Sequence, residues 1–122
     1  MIPILIREIQ QIDNQTIADV IRNVFISDNY PRTGTAFEEP QLDCMFETYQ
    51  KTKSAYFVIE IDGKIVGGAG ISQLQSSDDS ICELQKMYFL EEARGKGLGL
   101  QMIQIWVHMN FMGIKQIIFP FW

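Results

Sequence analysis

The stretch Glu83-Leu84-Gln85-Lys86-Met87-Tyr88-Phe89-Leu90-Glu91-Glu92-Ala93-Arg94-Gly95-Lys96-Gly97-Leu98-Gly99 decides how the rest of the chain is read. Its first half belongs to the stretch from Cys82 to Leu90, which reads as a strand. Its second half places glycine at 95, 97 and 99, and the apolar residues that follow take up helical spacing. A strand therefore feeds a glycine-rich loop that opens directly into a helix. Glycines let main chain approach an anion closely, and the first turn of a helix offers unpaired N–H groups with a partial positive charge. One helix end contributes only about 0.3–1 kcal/mol per anionic interaction, so several converging amides are needed. Lys86, Arg94 and Lys96 form a local basic excess in an acidic chain. A phosphate or diphosphate is the ligand this arrangement predicts.

Two familiar phosphate loops do not fit. A Walker loop needs Gly five residues before its Gly-Lys pair, but for Gly95-Lys96 that position, 90, is leucine. A dinucleotide fingerprint wants its third glycine three residues after the second, where Leu100 stands, and an acidic residue about twenty positions on. Gly67-Gly68-Ala69-Gly70 is followed by no helix and reads instead as a bulge or a close approach of strands.

Working outward, residues 3–9 form a short extended run. Asp13 stands at the N-cap of a helix over 13–27 with apolar Ile17, Val20, Ile21, Val24 and Phe25, the i, i+3, i+4 spacing of a helix buried on one face. Turn-forming residues Asp28 to Gly34 end it. A second helix is predicted over 40–51, started by Pro40, with Leu42, Met45, Phe46 and Tyr49 inward. Phe46 and Tyr49 are assigned to the core. Strands follow at 55–61 and 65–74 around Asp62-Gly63, a pair suited to a type I′ hairpin turn. After a polar loop over 75–80 comes a strand over 82–90. A helix from Leu98 to Met112 is predicted to be mostly buried, with Gln101, Gln104 and His108 on its wet side and Gly113 at C′. A last strand spans 114–119. This is an α+β pattern, an antiparallel meander closed by one β-α-β crossover.

The 122 residues suffice for one domain and not for two. Hydrophobic residues make up 47%, enough for a core, and the formal charge of −5 argues against a general nucleic-acid binder. The apolar run from Ile2 is broken at Arg7, and nowhere do eighteen apolar residues follow one another, so no signal segment or membrane span is predicted and the expected compartment is the cytoplasm. Cys44 and Cys82 lack metal-ligand spacing, and His108 is the sole histidine, so no metal is expected. Both cysteines are expected buried or partly buried, and neither has the histidine partner a nucleophile needs.

Arg94-Gly95-Lys96-Gly97-Leu98-Gly99 resembles the Q/R-x-x-G-x-G/A motif of the GCN5-related N-acetyltransferase (GNAT) family. Residues 83–89 resemble that family's fourth strand, and the element order from 3 to 119 matches. The resemblance implies a GNAT-like mixed sheet and acetyl-CoA as acyl donor. Main chain of Met87, Tyr88 and Phe89 would pair with the pantetheine arm, and Arg94, Gly95, Lys96, Gly97, Leu98, Gly99 and Leu100 would hold the phosphates. It also implies direct attack by an amine, of a small molecule or a protein, within a ternary complex. Glu83, eleven residues before Arg94, stands where some members carry a general base, and strand alternation puts it on one face with Gln85 and Met87. Tyr30, Arg32 and the two predicted helices, 13–27 and 40–51, stand where relatives shape the acceptor pocket. The family continues past the fifth strand with a helix and a closing hairpin, so the last strand is expected to present an edge for a second copy or for the rest of a longer enzyme. Three readings follow: an acetyl-CoA-dependent N-acetyltransferase, a catalytically incomplete CoA-binding remnant or regulatory domain, and a plain interaction domain that leaves the glycine loop unexplained.

Overall fold

The computed structural model describes residues 3–74, 80–108, 113 and 115–119. Strand β1 (Ile4–Glu8) leads through a 3₁₀ turn to helix α1 (Asn14–Ser27). The 3₁₀ turns Ala36–Glu38 and Pro40–Cys44 precede α2 (Met45–Thr48), and β2 (Ser54–Ile61), β3 (Lys64–Gln73) and β4 (Ile81–Phe89) follow. Helix α3 (Leu98–His108) then connects to β5 (Gln116–Ile118). The strands lie side by side in chain order. β1 to β4 run antiparallel, and β4 and β5 are parallel across α3, the meander and crossover expected.

Period-two alternation in β2 explains the layers. Tyr56 and Val58 enter a cluster with Ile17, Ile21 and Phe25 of α1 and Met45 of α2. Ala55 and Ile59 enter the opposite cluster, with Leu98, Met102 and Trp106 of α3. The predicted apolar stripe of α1 is buried throughout. Asp62 and Gly63 both have positive φ, +53° and +79°, as a type I′ turn demands.

Several details depart from the pattern. Asp13 makes no side-chain cap on α1; its carboxylate accepts from Arg7 (2.7 and 3.0 Å) and from the Gln10 amide (2.7 Å). The strong charge-assisted fork with Arg7 outcompetes a cap. The helix expected over 40–51 is a 3₁₀ turn and one α-helical turn, interrupted at Cys44 (φ −137°, ψ 53°). That break turns Cys44 outward, so its thiol is exposed whereas Cys82 is buried. α3 buries one stripe and not most of its circumference, since Leu100 and Val107 are exposed. His108 is on the wet side as read. The rest of that predicted helix, residues 109–112, and most of the polar loop, residues 75–79, lie outside the described residues; Gly113 has a left-handed φ of +75°. No helix among the described residues is long and apolar enough to cross a membrane.

Candidate active site

The site is built along β4, and its shape comes from one irregularity. Gly68 pairs with Tyr88 and Gly70 with Gln85, so Lys86 and Met87 together oppose Ala69. Lys86 takes a positive φ of +48°, the backbone signature of a bulge. Two contacts hold it. The buried Tyr56 hydroxyl donates to the Lys86 carbonyl at 2.8 Å, and Lys86 Nζ reaches Glu39 Oε2 at 3.1 Å. The extra residue shifts every later side chain to the other face. Met87 therefore packs in the α3 cluster, not beside Glu83 and Gln85 as simple alternation predicts. Tyr88 points to the α1 side, its ring 5.2 Å from that of Phe25.

The glycine run in β3 makes room for the rings of Tyr56 and Tyr49. A Cβ at Gly68 would sit 2.6 Å from the Tyr56 ring, and one at Gly70 would sit 2.7 Å from Tyr56 and 2.9 Å from Tyr49. Close packing of strands and rings is thus the role of Gly67–Gly70, as read, with one bulge opposite it on β4 and a register shift against β2 beside Gly67.

β5 pairs with β4 only over Ile81–Glu83. From Leu84 to Phe89 the outer edge of β4 has no partner strand among the described residues. This open edge runs to the loop before α3. Gly95 and Gly97 take φ values of +74° and +70°, and open space surrounds the position each Cβ would occupy. Gly99 differs: a Cβ there would press on Met87 Sδ (3.3 Å) and the Phe89 ring (3.3 Å), so it lets α3 lie close against β4. The first main-chain bond of the helix runs from Gln101 N–H to the Gly97 carbonyl, 3.0 Å. Among the described residues, the amides of Gly95 to Leu100 have no acceptor in the protein. Leu98 is buried beneath this turn, and Lys96 and Leu100 are exposed.

Arg94 is already engaged. Its Nε donates to the Phe89 carbonyl at 2.9 Å, and its two terminal nitrogens grip Asp28 at 2.6 and 3.2 Å. The hydrogen bond from Arg94 holds the Asp28 carboxyl below the usual range. This fork ties the end of β4 and the loop to the end of α1.

At the other end of the bulge, half-buried Glu83 accepts from Gln85 Nε2 at 3.1 Å, and Gln85 Oε1 accepts from the Tyr49 hydroxyl at 2.8 Å. Burial, and then the negative charges of Glu39 and Glu83, push the Tyr49 hydroxyl well above its ordinary pKa, so it stays protonated. Beyond the end of α1, Tyr30 packs edge-on against Phe25 at 5.6 Å, and the Arg32 guanidinium lies over Phe37 at 5.4 Å. Gln85, Tyr49 and Asp28 were not among the site residues read from sequence. Tyr49 lay on an apolar stripe and is indeed buried, but a buried hydroxyl needs a partner, and that requirement was the available signal. Among the described residues, no three His, Cys, Asp or Glu side chains gather as metal ligands would.

These features, an antiparallel meander, a bulged fourth strand with an open edge, and a glycine loop with unpaired amides at the head of a crossover helix, define an acetyltransferase-type fold. The profile of the acetyltransferase (GNAT) family matches residues 19–108, and the chain belongs to that family. It is 48% identical over 89 residues to YjgM of Escherichia coli K12, described as an uncharacterised N-acetyltransferase. The match covers 70% of this chain and 52% of YjgM, so the chain spans about half the length of that relative. Among solved structures, a Staphylococcus aureus acetyltransferase of the GNAT family superposes with a TM-score of 0.80 at 16% identity, covering 98% of this chain and 74% of the other. A protein described as a predicted acetyltransferase from Clostridium acetobutylicum, crystallised with acetyl-CoA, gives 0.72 at 16% identity, with 98% and 81% covered. Glucosamine-6-phosphate N-acetyltransferase of Arabidopsis thaliana gives 0.64 at 18%, with 98% and 83% covered.

Proposed function

We propose that this chain carries the acetyl-CoA-binding and catalytic portion of an N-acetyltransferase. The observation that carries the reading is the run of unpaired amides from Gly95 to Leu100 beside the open edge of β4. Donors fixed by a helix start suit a diphosphate, and the open space at Gly95 and Gly97 admits one. That fit, together with family membership and the Clostridium relative crystallised with acetyl-CoA, supports acetyl-CoA as the donor. When bound, it supplies an activated acetyl thioester.

The chain's own residues would then work in three ways. Amides of Gly95 to Leu100, with exposed Lys96, hold the phosphates. Main chain of Met87, Tyr88 and Phe89 on the free edge of β4 pairs with the pantetheine arm, which leads the thioester towards the bulge. Glu83 takes the proton that the acceptor amine must give up to become a nucleophile. Most of the acceleration comes from alignment of the two reactants, on the order of 7–11 kcal/mol, and a general base adds roughly 10²–10⁴-fold. The acceptor is an amine, reached from the side of Tyr30 and Arg32.

Titration calorimetry with acetyl-CoA tests the first part, and no heat at millimolar donor would end the transferase reading. Thiol release from acetyl-CoA across a panel of primary amines tests the second. Glu83→Gln is expected to lower kcat on the order of 10²-fold or more while leaving donor affinity intact. Full kcat in that variant across the pH range would remove Glu83 as the base.

A further inference from the structure

Half-buried Gln85 has no place in the scheme above, yet it sits between the proposed base and a buried tyrosine. The chain of bonds has one self-consistent polarity. An ionised carboxylate only accepts hydrogen bonds, so Gln85 must turn Nε2 towards Glu83, as it does at 3.1 Å. That leaves Gln85 Oε1 facing the Tyr49 hydroxyl at 2.8 Å, where Tyr49 must donate. Tyr49 meets the requirement because its ring is buried against Tyr56, centroids 5.3 Å apart, in the space that Gly70 leaves open. Reversing the amide would set its oxygen against a carboxylate oxygen of Glu83, so the contact with Glu83 fixes the orientation.

We propose that Gln85 is a positioning residue for acyl transfer: its carboxamide, oriented by Tyr49, holds Glu83 in a single rotamer with one carboxylate oxygen engaged and the other available to the acceptor amine. This rests on the reading of Glu83 as the base. Charged groups near the network include Glu39, which acts on Tyr49, and Lys86, which pairs with Glu39 at 3.1 Å; among the described residues neither bonds to Glu83. A carboxylate on a strand otherwise samples several staggered rotamers, and proton transfer in the wrong one is lost to catalysis.

Proton NMR of the intact chain reads this directly, without an acceptor. In the unmodified protein the Hα–Hβ couplings of Glu83 are expected to report one χ1 rotamer. Gln85→Met, which keeps the length and removes both polar atoms, should average them, and Tyr49→Phe, which keeps the buried ring, should average them in part. Backbone amide spectra of both variants check that the fold persists. Averaged couplings in the unmodified protein, or a single rotamer retained in Gln85→Met, would overturn the proposal. In thiol-release assays Gln85→Met should lower kcat on the order of tenfold, with KM for acetyl-CoA unchanged within about twofold, and should add nothing in a Glu83→Gln background. A loss that adds to that of Glu83→Gln would show Gln85 acting elsewhere and would also overturn it. If Glu83→Gln alone keeps full kcat, the base assignment fails, while the couplings still decide whether Gln85 orders Glu83.

Discussion

At the Phe89 end of β4 the candidate site is made of main chain: amides from Gly95 to Leu100, two glycines with positive φ, and a helix start. At the Glu83 end it is made of side chains, with Tyr49, Gln85 and Glu83 linked in series just before the bulge. The first region tolerates any side chain that leaves the backbone path and the local charge alone. The second depends on the identity, length and orientation of each group, and on the rings and glycines packed beneath it. Substitutions at the two ends should accordingly fail in different ways, one in donor affinity and the other in turnover.

The largest effect is expected at Gly97. Gly97→Glu places a non-glycine residue at φ +70°, which costs about 1–2 kcal/mol, and sets a carboxylate among the unpaired amides proposed to hold the diphosphate. Acetyl-CoA binding measured by calorimetry should weaken about a hundredfold or more, some 2.7 kcal/mol. Unchanged affinity would break the main-chain account of that end.

Gly70→Ala probes the other end through its packing. Its Cβ would lie 2.7 Å from the Tyr56 ring and 2.9 Å from that of Tyr49, both in the buried core. Overpacking of this kind costs about 1–3 kcal/mol, readable in urea denaturation. Displacing Tyr49 should lower kcat while acetyl-CoA affinity changes little. Equal losses in both would show that the two ends are not separable.

The same contrast governs what could be read from sequence. α1 was legible because Ile17, Val20, Ile21, Val24 and Phe25 repeat with helical period and all are buried. The β2–β3 turn was legible because Asp62-Gly63 tolerates positive φ. The glycine loop was legible because its structure is a property of backbone freedom, which residue type encodes locally. Lys86 announces nothing: a lysine at φ +48° is held there by Tyr56 and Glu39, residues distant in sequence. Strand alternation consequently put Met87 on the wrong face, and the bonds of Gln85 and Tyr49 stayed hidden. The break at Cys44 was not legible either, since Leu42, Met45 and Tyr49 are buried at the helical spacing read for them while the helix itself is interrupted between them.

A third measurement sharpens the comparison by fixing its frame. The Asp13 carboxylate, buried between β1 and α1, is held below the usual range chiefly by its hydrogen bond from Arg7. A carboxyl depressed in the folded state contributes stability that is complete above its unfolded pKa, near 3.9, and is lost as pH falls through the lower folded value. Melting temperature should therefore hold from neutral pH down to about 4 as far as this group is concerned, then fall, and Asp13→Asn should flatten that acid limb while lowering stability at neutral pH. Because Asp13 lies away from both ends of β4, acetyl-CoA affinity at neutral pH should not follow.

The smallest expected effect carries the finest distinction, because its sign matters more than its size. Sequence reading counts Arg94 among the phosphate-holding residues, whereas its guanidinium is spent on Asp28 and the Phe89 carbonyl. As a strap, Arg94 keeps the loop backbone where its amides converge. As a phosphate ligand, it would have to leave Asp28. Asp28→Asn weakens the fork and removes a negative charge, so the two roles predict opposite outcomes. The strap predicts acetyl-CoA binding weakened about two- to threefold, in keeping with the modest worth of exposed pairs. A freed ligand predicts tighter binding, most visibly at low salt where screening is least. Arg94→Lys completes the test, since an ammonium can still meet a phosphate but cannot span Asp28 and a carbonyl with one planar fork. Weakening in both variants would place the contribution of Arg94 in the backbone it braces.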